Sequence, residues 1–370
     1  MKSEYLRNFL FFAAALLLAS PAAARRTLNW RYHRKLAVST SAVSGAQSPS
    51  ASTAPARVAV KLMAGRWNPE TRAAIEKLMA DAGRGSPGYD PKRPPVAILP
   101  WSDASVAGDP AELVFLHLVS DVKFRVDDAW WEIVPIAYGR QRTRAAYEEL
   151  VTLSSTVWTS QPSYHAWRKG MLSGYVGLCR NVGRKECRSY LARLWAGWRV
   201  DDAEDYAKTA LAEERSRVNP VEMIPGEPGD RKPLRARRGL RVIPEMRDLV
   251  VKLRGAGFDV WVVDDVPQPV LAAAAGEYGV DPSRIYGIQN STQGVRMGAE
   301  VEPPVPTRGG KTAVVQSMLG RPADLVVGRD SADIDVLSYG DGLRVVLDGD
   351  PALVKKARER GWLIQRSFAR

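Results

Sequence analysis

A chain of 370 residues, of which 45% are hydrophobic, can bury one large core or a core with a smaller domain, which excludes a disordered protein. Its formal charge of +12 would attract nucleic acid, anionic lipid or an acidic polymer, but the basic residues are dispersed, and the densest run, 231–241, lies beside Pro and Gly as in a linker. The charge therefore indicates a solvated basic surface and argues against a nucleic-acid site.

The first 24 residues have the pattern of a secretory signal peptide. Lys2 and Arg7 precede an apolar run at 9–19, and small residues at 20–24 suit a cleavage site. The apolar run has about half the length that a membrane-spanning helix needs. We expect export to the periplasm or the extracellular space, with no transmembrane segment after cleavage. The alternative is an uncleaved signal that remains as an anchor.

Residues 25–57 are predicted to form a disordered linker, because 37–57 is mostly Ser, Ala, Thr and Pro, too poor in large apolar groups to offset the entropy of ordering. The first part of an α/β core follows at 58–105. There Asn68 is the predicted cap of a helix with Pro69 at its first position. Residues 96–99 are predicted to form a strand.

A separate all-helical cap is predicted at 106–236, where the pattern turns helical and aromatic and holds six of the eleven tryptophans. The same segment contains both cysteines, Cys179 and Cys187, which an exported protein could pair. Eight residues correspond to about 12 Å along a helix, so a bridge requires the helix to break, for which 181–183 offers Asn and Gly. Two separately buried thiols are the alternative, and the three histidines show no metal-ligand spacing relative to them.

The second part of the core is predicted at 237–370, where helices and strands alternate. The predicted helices are 244–255 and 267–278, the predicted strands are 258–263 and 284–288, and further apolar runs follow at 324–327, 343–347 and 362–364. This alternation indicates a parallel sheet with helices on both faces. The predicted fold class is therefore α/β: a Rossmann-like parallel core with an inserted all-helical cap.

In an open parallel sheet, chemistry gathers at the carboxyl ends of the strands, here 100–105, 264–267 and 328–335. The sequence V-A-I-L-P-W-S-D-A-S at 96–105 is similar to V-A-V-F-D-W-D-N-T-S of the haloacid dehalogenase (HAD) superfamily phosphatases. The resemblance is to the phosphoserine and phosphorylcholine phosphatase-like branch, which also inserts a helical cap after this strand, and it covers about 67–347. It implies a phosphatase scaffold that would use Mg²⁺ if active.

The resemblance places Pro100 at the position of the nucleophilic Asp and Ser102 at the position of the acid–base Asp. Proline has no side-chain nucleophile, and a serine hydroxyl is too weak an acid for proton transfer near neutral pH. Asp103, at the family's Asn position, is the alternative nucleophile, although its side chain is expected to point elsewhere.

Three further motifs complete the resemblance. Asp264 replaces a hydroxyl ligand of the phosphoryl group and would repel a phosphate dianion. Lys311 matches the family's charge-balancing Lys. Arg329 occupies the position at which the family has a magnesium-binding Asp, whereas Asp333 of the same motif is retained.

We hypothesise that the guanidinium of Arg329 replaces Mg²⁺ and closes the old pocket by pairing with Asp264 or Asp333. The alternative is that the alignment of this motif with the family's motif shifts by one residue, so that Asp330 is the metal ligand and Arg329 points to solvent.

These changes favour a catalytically inactive pseudophosphatase with a binding or structural role in the cell envelope and no cofactor. One alternative is an active Mg²⁺-dependent phosphomonoester hydrolase that uses displaced carboxylates, Asp103, Asp265 and Asp330. Another is a basic envelope protein that binds polyanions. A ligand would be a small phosphorylated compound or a quaternary ammonium group, which aromatic rings hold through cation–π attraction. The tryptophans of the cap are otherwise explained by packing.

Overall fold

The computed structural model describes residues 60–369. The predicted signal peptide at 1–24, the predicted linker at 25–57 and the first two residues of the predicted core lie outside the described residues. The predicted domain boundaries at 105 and 236 remain predictions.

The described residues form eleven α-helices, five short 3-10 helices and eleven strands. The α-helices are α1 (Pro69–Ala82), α2 (Pro110–Ser120), α3 (Arg140–Leu150), α4 (Pro162–Asn181), α5 (Arg184–Arg193), α6 (Val200–Ser216), α7 (Pro244–Gly255), α8 (Gln268–Gly276), α9 (Gly309–Leu319), α10 (Ile334–Leu337) and α11 (Pro351–Arg360). The strands are β1 (Val96–Leu99), β2 (Val106–Ala107), β3 (Val221–Ile224), β4 (Leu234–Arg237), β5 (Arg241–Val242), β6 (Asp259–Pro267), β7 (Ile285–Gln293), β8 (Arg296–Glu302), β9 (Leu325–Gly328), β10 (Leu343–Leu347) and β11 (Leu363–Gln365).

Seven strands form the central sheet, in the order β11-β10-β9-β1-β6-β7-β8. All neighbours are parallel except β7 and β8, which are antiparallel. Every residue of β1 and β9 is buried. Strands that are covered on both faces have this burial, and their sequences are therefore continuous apolar runs. The predicted α/β class with a parallel core is confirmed.

The order in which the chain adds strands to the sheet reverses at β1. The chain continues to β6 and β7 on one side of β1, and it later returns to β9, β10 and β11 on the other side. Right-handed crossovers that run in opposite directions place helices on opposite faces. The reversal also opens a crevice beyond the carboxyl end of β1, between β6 and β9.

The segment predicted to be all-helical contains α2 to α6 but also an antiparallel hairpin of β3 and β4. The expectation of a linker at 231–241 was therefore wrong, because β4 lies within that run. The charged residues of β4 suit a strand that has one face in solvent. In sequence, such a short charged strand cannot be distinguished from a polar linker by periodicity alone. Asn68 does occupy the cap position of α1, but its side chain donates to the carbonyl of Ile364 at 2.6 Å instead of capping the helix.

The helices of the insertion and the central sheet share one hydrophobic core. Buried side chains from both parts, including Trp167 and Trp195 of the insertion and Leu99 and Val262 of the sheet, belong to one continuous cluster. The insertion is therefore packed firmly onto the sheet. Among residues 60–369, no helix combines the length and the apolarity that crossing a membrane requires.

A disulfide joins Cys179 of α4 to Cys187 of α5, with Cα atoms 4.9 Å apart. The helix breaks at Val182 and Gly183, within the interval where the sequence offered an interruption, and Gly183 has a φ of +124° that favours glycine. The alternative of two separate thiols is thereby excluded. The bridge fixes the start of α5 against the end of α4.

Candidate functional site

The tips of β1, β6 and β9 bring the residues singled out from the sequence into one buried place. Pro100 and Ser102 follow β1, Asp264 lies near the end of β6, and Asp333 follows β9. Lys311 reaches the same place from the first turn of α9. All five are buried, and Ser102 and Asp264 are 0% exposed. The crevice is filled by protein side chains.

The carboxylate of Asp264 occupies a site built for an anion. One oxygen accepts hydrogen bonds from the backbone N–H groups of Trp101 and Ser102, both at 2.9 Å, and the other accepts from the N–H of Asp265 at 2.9 Å. Successive N–H groups in a turn form a concave site with positive partial charge that binds anions. Because Asp264 takes the N–H groups that follow β1, an incoming anion finds them already occupied.

Lys311 completes the coordination of this internal anion. Its Nζ lies 3.3 Å from Asp264 Oδ1 and 2.6 Å from Asp333 Oδ1. Burial would raise the pKa of Asp264, but the charges of Lys311 and Arg329 and the N–H of Ser102 outweigh it and hold that pKa below its ordinary value. Burial would likewise lower the pKa of Lys311, but Asp333 and Asp264 raise it. Asp264 and Lys311 therefore both stay charged near neutral pH.

Gly310 explains how Lys311 comes so close. A Cβ at this position would lie 1.7 Å from the carbonyl oxygen of Val305. Only glycine allows this approach of the backbone at the start of α9. Packing thus requires the glycine at 310, and charge requires the lysine that follows it.

Arg329 lies inside the cluster, but its partners differ from those we expected. Its guanidinium pairs with Asp330 and donates to the backbone carbonyl of Ser102. Arg329 reaches Asp333 only through its backbone N–H, which donates at 2.7 Å. Asp264 is not a hydrogen-bond partner of the Arg329 side chain among the described residues. The predicted pairing with Asp264 or Asp333 was wrong, because Lys311 takes both carboxylates. The alternative that places Arg329 in solvent is also excluded, since its side chain is 14% exposed.

Helix α5 contributes two arginines that the sequence analysis did not identify. Arg184 makes a bidentate ion pair with Asp265 and a second pair with Asp330 at 3.0 Å. Arg188, one turn later, pairs with Asp109 and lies 3.6 Å from Asp265. Their i,i+4 spacing was the available signal, although only the folded insertion shows that this face of α5 meets the sheet.

The carboxylate of Asp103 is held by Arg237 and by the backbone of Gly108. Its oxygens lie 3.0 and 3.1 Å from the guanidinium of Arg237, and Oδ1 also accepts from the N–H of Gly108 at 2.9 Å. Burial would raise the pKa of Asp103, but the hydrogen bond and charge of Arg237 lower it. A carboxylate held in this way is poorly placed to attack a phosphorus atom.

The residues at the tips do not fit a magnesium ion. Carboxylate and backbone carbonyl oxygens are ligands that Mg²⁺ would take, and Asp330 and the carbonyl of Ser102 supply such oxygens. Both are bound by the guanidinium of Arg329. Within residues 60–369, no group of three or more His, Cys, Asp or Glu is arranged to hold a metal ion.

The aromatic side chains of the insertion pack against one another. Trp130 and Trp131 meet edge to face with centroids 5.2 Å apart, and both are 3% exposed. The guanidinium of Arg144 lies over Trp131 at 5.8 Å, and that of Arg125 lies over Trp198 at 5.1 Å. Trp131 and Trp198 thus already have an arginine of the chain as partner, and the edge-to-face packing of Trp130 on Trp131 is that of a core.

The fold and the site define an α/β protein with an inserted helical segment and a buried ion-pair cluster at the strand tips. No protein-family model matches the sequence, and no curated protein matches it. Among solved structures, the chain is similar to a conserved, functionally unknown protein from Anaerococcus prevotii DSM 20548. The TM-score is 0.71 and the identity 19%, over 82% of this chain and 94% of that chain. This likeness establishes the fold alone.

Two more distant likenesses carry descriptions of activity. One is to a HAD family hydrolase from Salmonella enterica subsp. enterica serovar Typhi, with TM-score 0.36, 9% identity, and coverage of 70% of this chain and 64% of that chain. The other is to phosphoserine phosphatase as a phospho-aspartyl intermediate analogue, with TM-score 0.35, 11% identity, and coverage of 71% of this chain and 90% of that chain. Neither is close enough to carry an argument about activity.

Proposed function

We propose that this chain is an exported, phosphatase-like protein of the HAD superfamily that does not transfer phosphoryl groups and has a binding or structural role in the cell envelope. One observation carries the proposal. The carboxylate of Asp264 binds the N–H groups of Trp101 and Ser102 together with Lys311, which are the groups that would hold a phosphoryl anion. The chain thus supplies its own anion to the crevice.

The absence of a nucleophile supports the same proposal. Pro100 stands where the resemblance expects the attacking Asp, and Ser102 stands where it expects the acid–base Asp. In an enzyme of this kind the two groups act as a unit, and the loss of one usually removes most of the rate. The displaced carboxylates Asp265 and Asp330 are each paired with arginine. The three carboxylates that the alternative of an active hydrolase would use, Asp103, Asp265 and Asp330, are therefore all held by arginine.

Anion binding tests this proposal directly. Inorganic phosphate should leave the melting temperature of the wild type unchanged, because Asp264 already occupies the anion site. Asp264→Ser should free the N–H groups and Lys311, so phosphate should raise the melting temperature of this variant through preferential binding to the folded state. Asp81→Ser, at an exposed position of α1, is the matched control and should show no response.

Activity measurements complete the test. With Mg²⁺ and a chromogenic phosphate ester, the wild type should hydrolyse no more than buffer does, and Asp103→Asn should match it. Mg²⁺-dependent hydrolysis that disappears in Asp103→Asn would establish the active alternative instead. A phosphate-stabilised wild type would show that Asp264 does not block the site.

A further inference from the structure

The hairpin of β3 and β4 has two different faces. In its antiparallel register Glu222 lies opposite Ala236, and Met223 lies opposite Arg235. Because successive side chains of a strand point to opposite faces, Met223 and Arg235 share one face. Both are exposed, whereas Ala236 is buried on the other face. We call the exposed face, with its connecting turn, the outer face of the hairpin.

The inner face fixes the hairpin to the helical insertion. Glu222 pairs with Arg168 of α4 and with Arg238, the latter at 2.9 Å. Ile224 is 1% exposed and belongs to the hydrophobic core. These contacts hold the hairpin in place, so the outer face is a preformed surface.

Three unpaired cations line this surface. Arg235 lies on β4, and Arg231 and Lys232 lie in the turn that connects the strands; all three are exposed. None of them forms an ion pair with another described residue, and Asp230 of the same turn is taken by Lys169 of α4. Glu227 of the same turn is also exposed and forms no ion pair with another described residue. The three cations and this carboxylate together leave the outer face with a net charge of +2 that the rest of the fold does not compensate.

Exposed apolar side chains lie on the hairpin and at its base. Met223 on the outer face is 53% exposed, and Val218, which precedes β3, is 90% exposed. A soluble polyanion would neutralise the arginines and leave these side chains in water. The interface of an anionic bilayer satisfies both, because phosphate groups attract the cations and the acyl boundary receives apolar side chains.

We propose that the outer face of the hairpin docks the protein on a membrane surface rich in anionic phospholipid. The docking is peripheral, since it uses side chains of one hairpin and inserts no helix. It does not depend on the state of the crevice, whose ion pairs lie at the tips of β1, β6 and β9. The partner is thus the lipid headgroup layer itself, and the proposal adds a location to the proposed function.

Vesicle co-sedimentation tests the docking surface. The purified protein should bind vesicles of equimolar phosphatidylglycerol and phosphatidylcholine, bind phosphatidylcholine vesicles weakly, and be released by salt. Each cation near an anionic surface strengthens partitioning about fivefold. The triple variant R231Q, K232Q and R235Q should therefore bind about 100-fold more weakly. The matched control removes three exposed cations of α11, with the substitutions K355Q, R358Q and R360Q, and should bind like the wild type.

A second variant separates a membrane from a soluble polyanion. The double variant V218S and M223S should bind the anionic vesicles about tenfold more weakly, because less apolar surface is buried, while its retention on heparin stays that of the wild type. Equal losses in the two triple variants would overturn the proposal in favour of diffuse charge. Wild-type retention on heparin without vesicle binding would overturn it in favour of a polymer.

Discussion

Replacement of Lys311 by methionine removes the cation at the centre of the crevice and leaves its volume nearly unchanged. The Nζ atom lies 2.6 Å from Asp333 and 3.3 Å from Asp264, and all three side chains are buried. Breaking a buried ion pair by removing one partner costs about 3–5 kcal/mol, because an uncompensated charge remains. Asp264 keeps three N–H donors, which places the expected loss near 3 kcal/mol.

The pH dependence of this loss has a defined sign. In the wild type, Asp264 has a pKa below its ordinary value of 3.8, so its contribution to stability is complete above about pH 4 and is lost as the pH falls further. In Lys311→Met, the loss of this cation should raise the pKa of the buried Asp264 carboxyl above its value in the wild type, so the folded variant should take up a proton more readily as the pH falls. The difference in stability between the variant and the wild type should therefore shrink between pH 7 and pH 4.

Urea unfolding followed by tryptophan fluorescence measures this difference, with the slope of the transition as a check that the unfolded states match. Lys77→Met is the control, because its pair with Asp81 is exposed and should contribute less than about 1 kcal/mol. If Lys311→Met were as stable as the wild type at pH 7, the ion pairs could not be what holds the crevice closed.

Three further outcomes follow from the structure. Mg²⁺ should leave the melting temperature of the wild type unchanged and raise that of Arg329→Asp, with NaCl at matched ionic strength as the control. The Cys179→Ser, Cys187→Ser double variant should lose about 2–3 kcal/mol of unfolding free energy, and mass spectrometry of the unreduced protein should find the bridge. Glu214 has a pKa of about 2, because burial is outweighed by the His117 hydrogen bond, the Gly239 N–H and the Arg238 charge. Glu214→Gln should therefore destabilise the protein more at pH 7 than at pH 3, where the wild type is already losing this contribution.

The parallel core could be predicted because its strands are continuous apolar runs. The predicted strand at 96–99, the helix at 244–255 and the run at 343–347 coincide with β1, α7 and β10. Strand β8 lies at the edge of the sheet, where a strand pairs on one side only. Its sequence contains charged residues and a glycine, so it does not form an apolar run from which a strand could be predicted. The hairpin of β3 and β4 was missed for a similar reason, since its outer face is charged and exposed.

The positions of the candidate site were easier to predict than its pairings. The resemblance placed Pro100, Asp264 and Arg329 at strand tips and matched Lys311 to the family's charge-balancing Lys, and the structure brings all four together. The partners of Arg329 could not be predicted, because Lys311 and Arg329 compete for the same carboxylates. The sequence does not show that Lys311 pairs with Asp264 and Asp333 and so leaves Asp330 to Arg329. Arg184 pairs with Asp265, which lies 81 residues later in the sequence. Only the position of the insertion in the folded chain determines that contact.

We propose that no oxygen in the crevice accepts a phosphoryl group. Fluorine-19 NMR of the purified protein with Mg²⁺ and beryllium fluoride measures this directly, because the reagent forms an aspartyl-phosphate mimic on a reactive carboxylate. We predict free fluoride species alone, with no signal from the protein. A protein-bound beryllofluoride signal that disappears in Asp103→Asn would contradict the account and identify the carboxylate that acts as nucleophile.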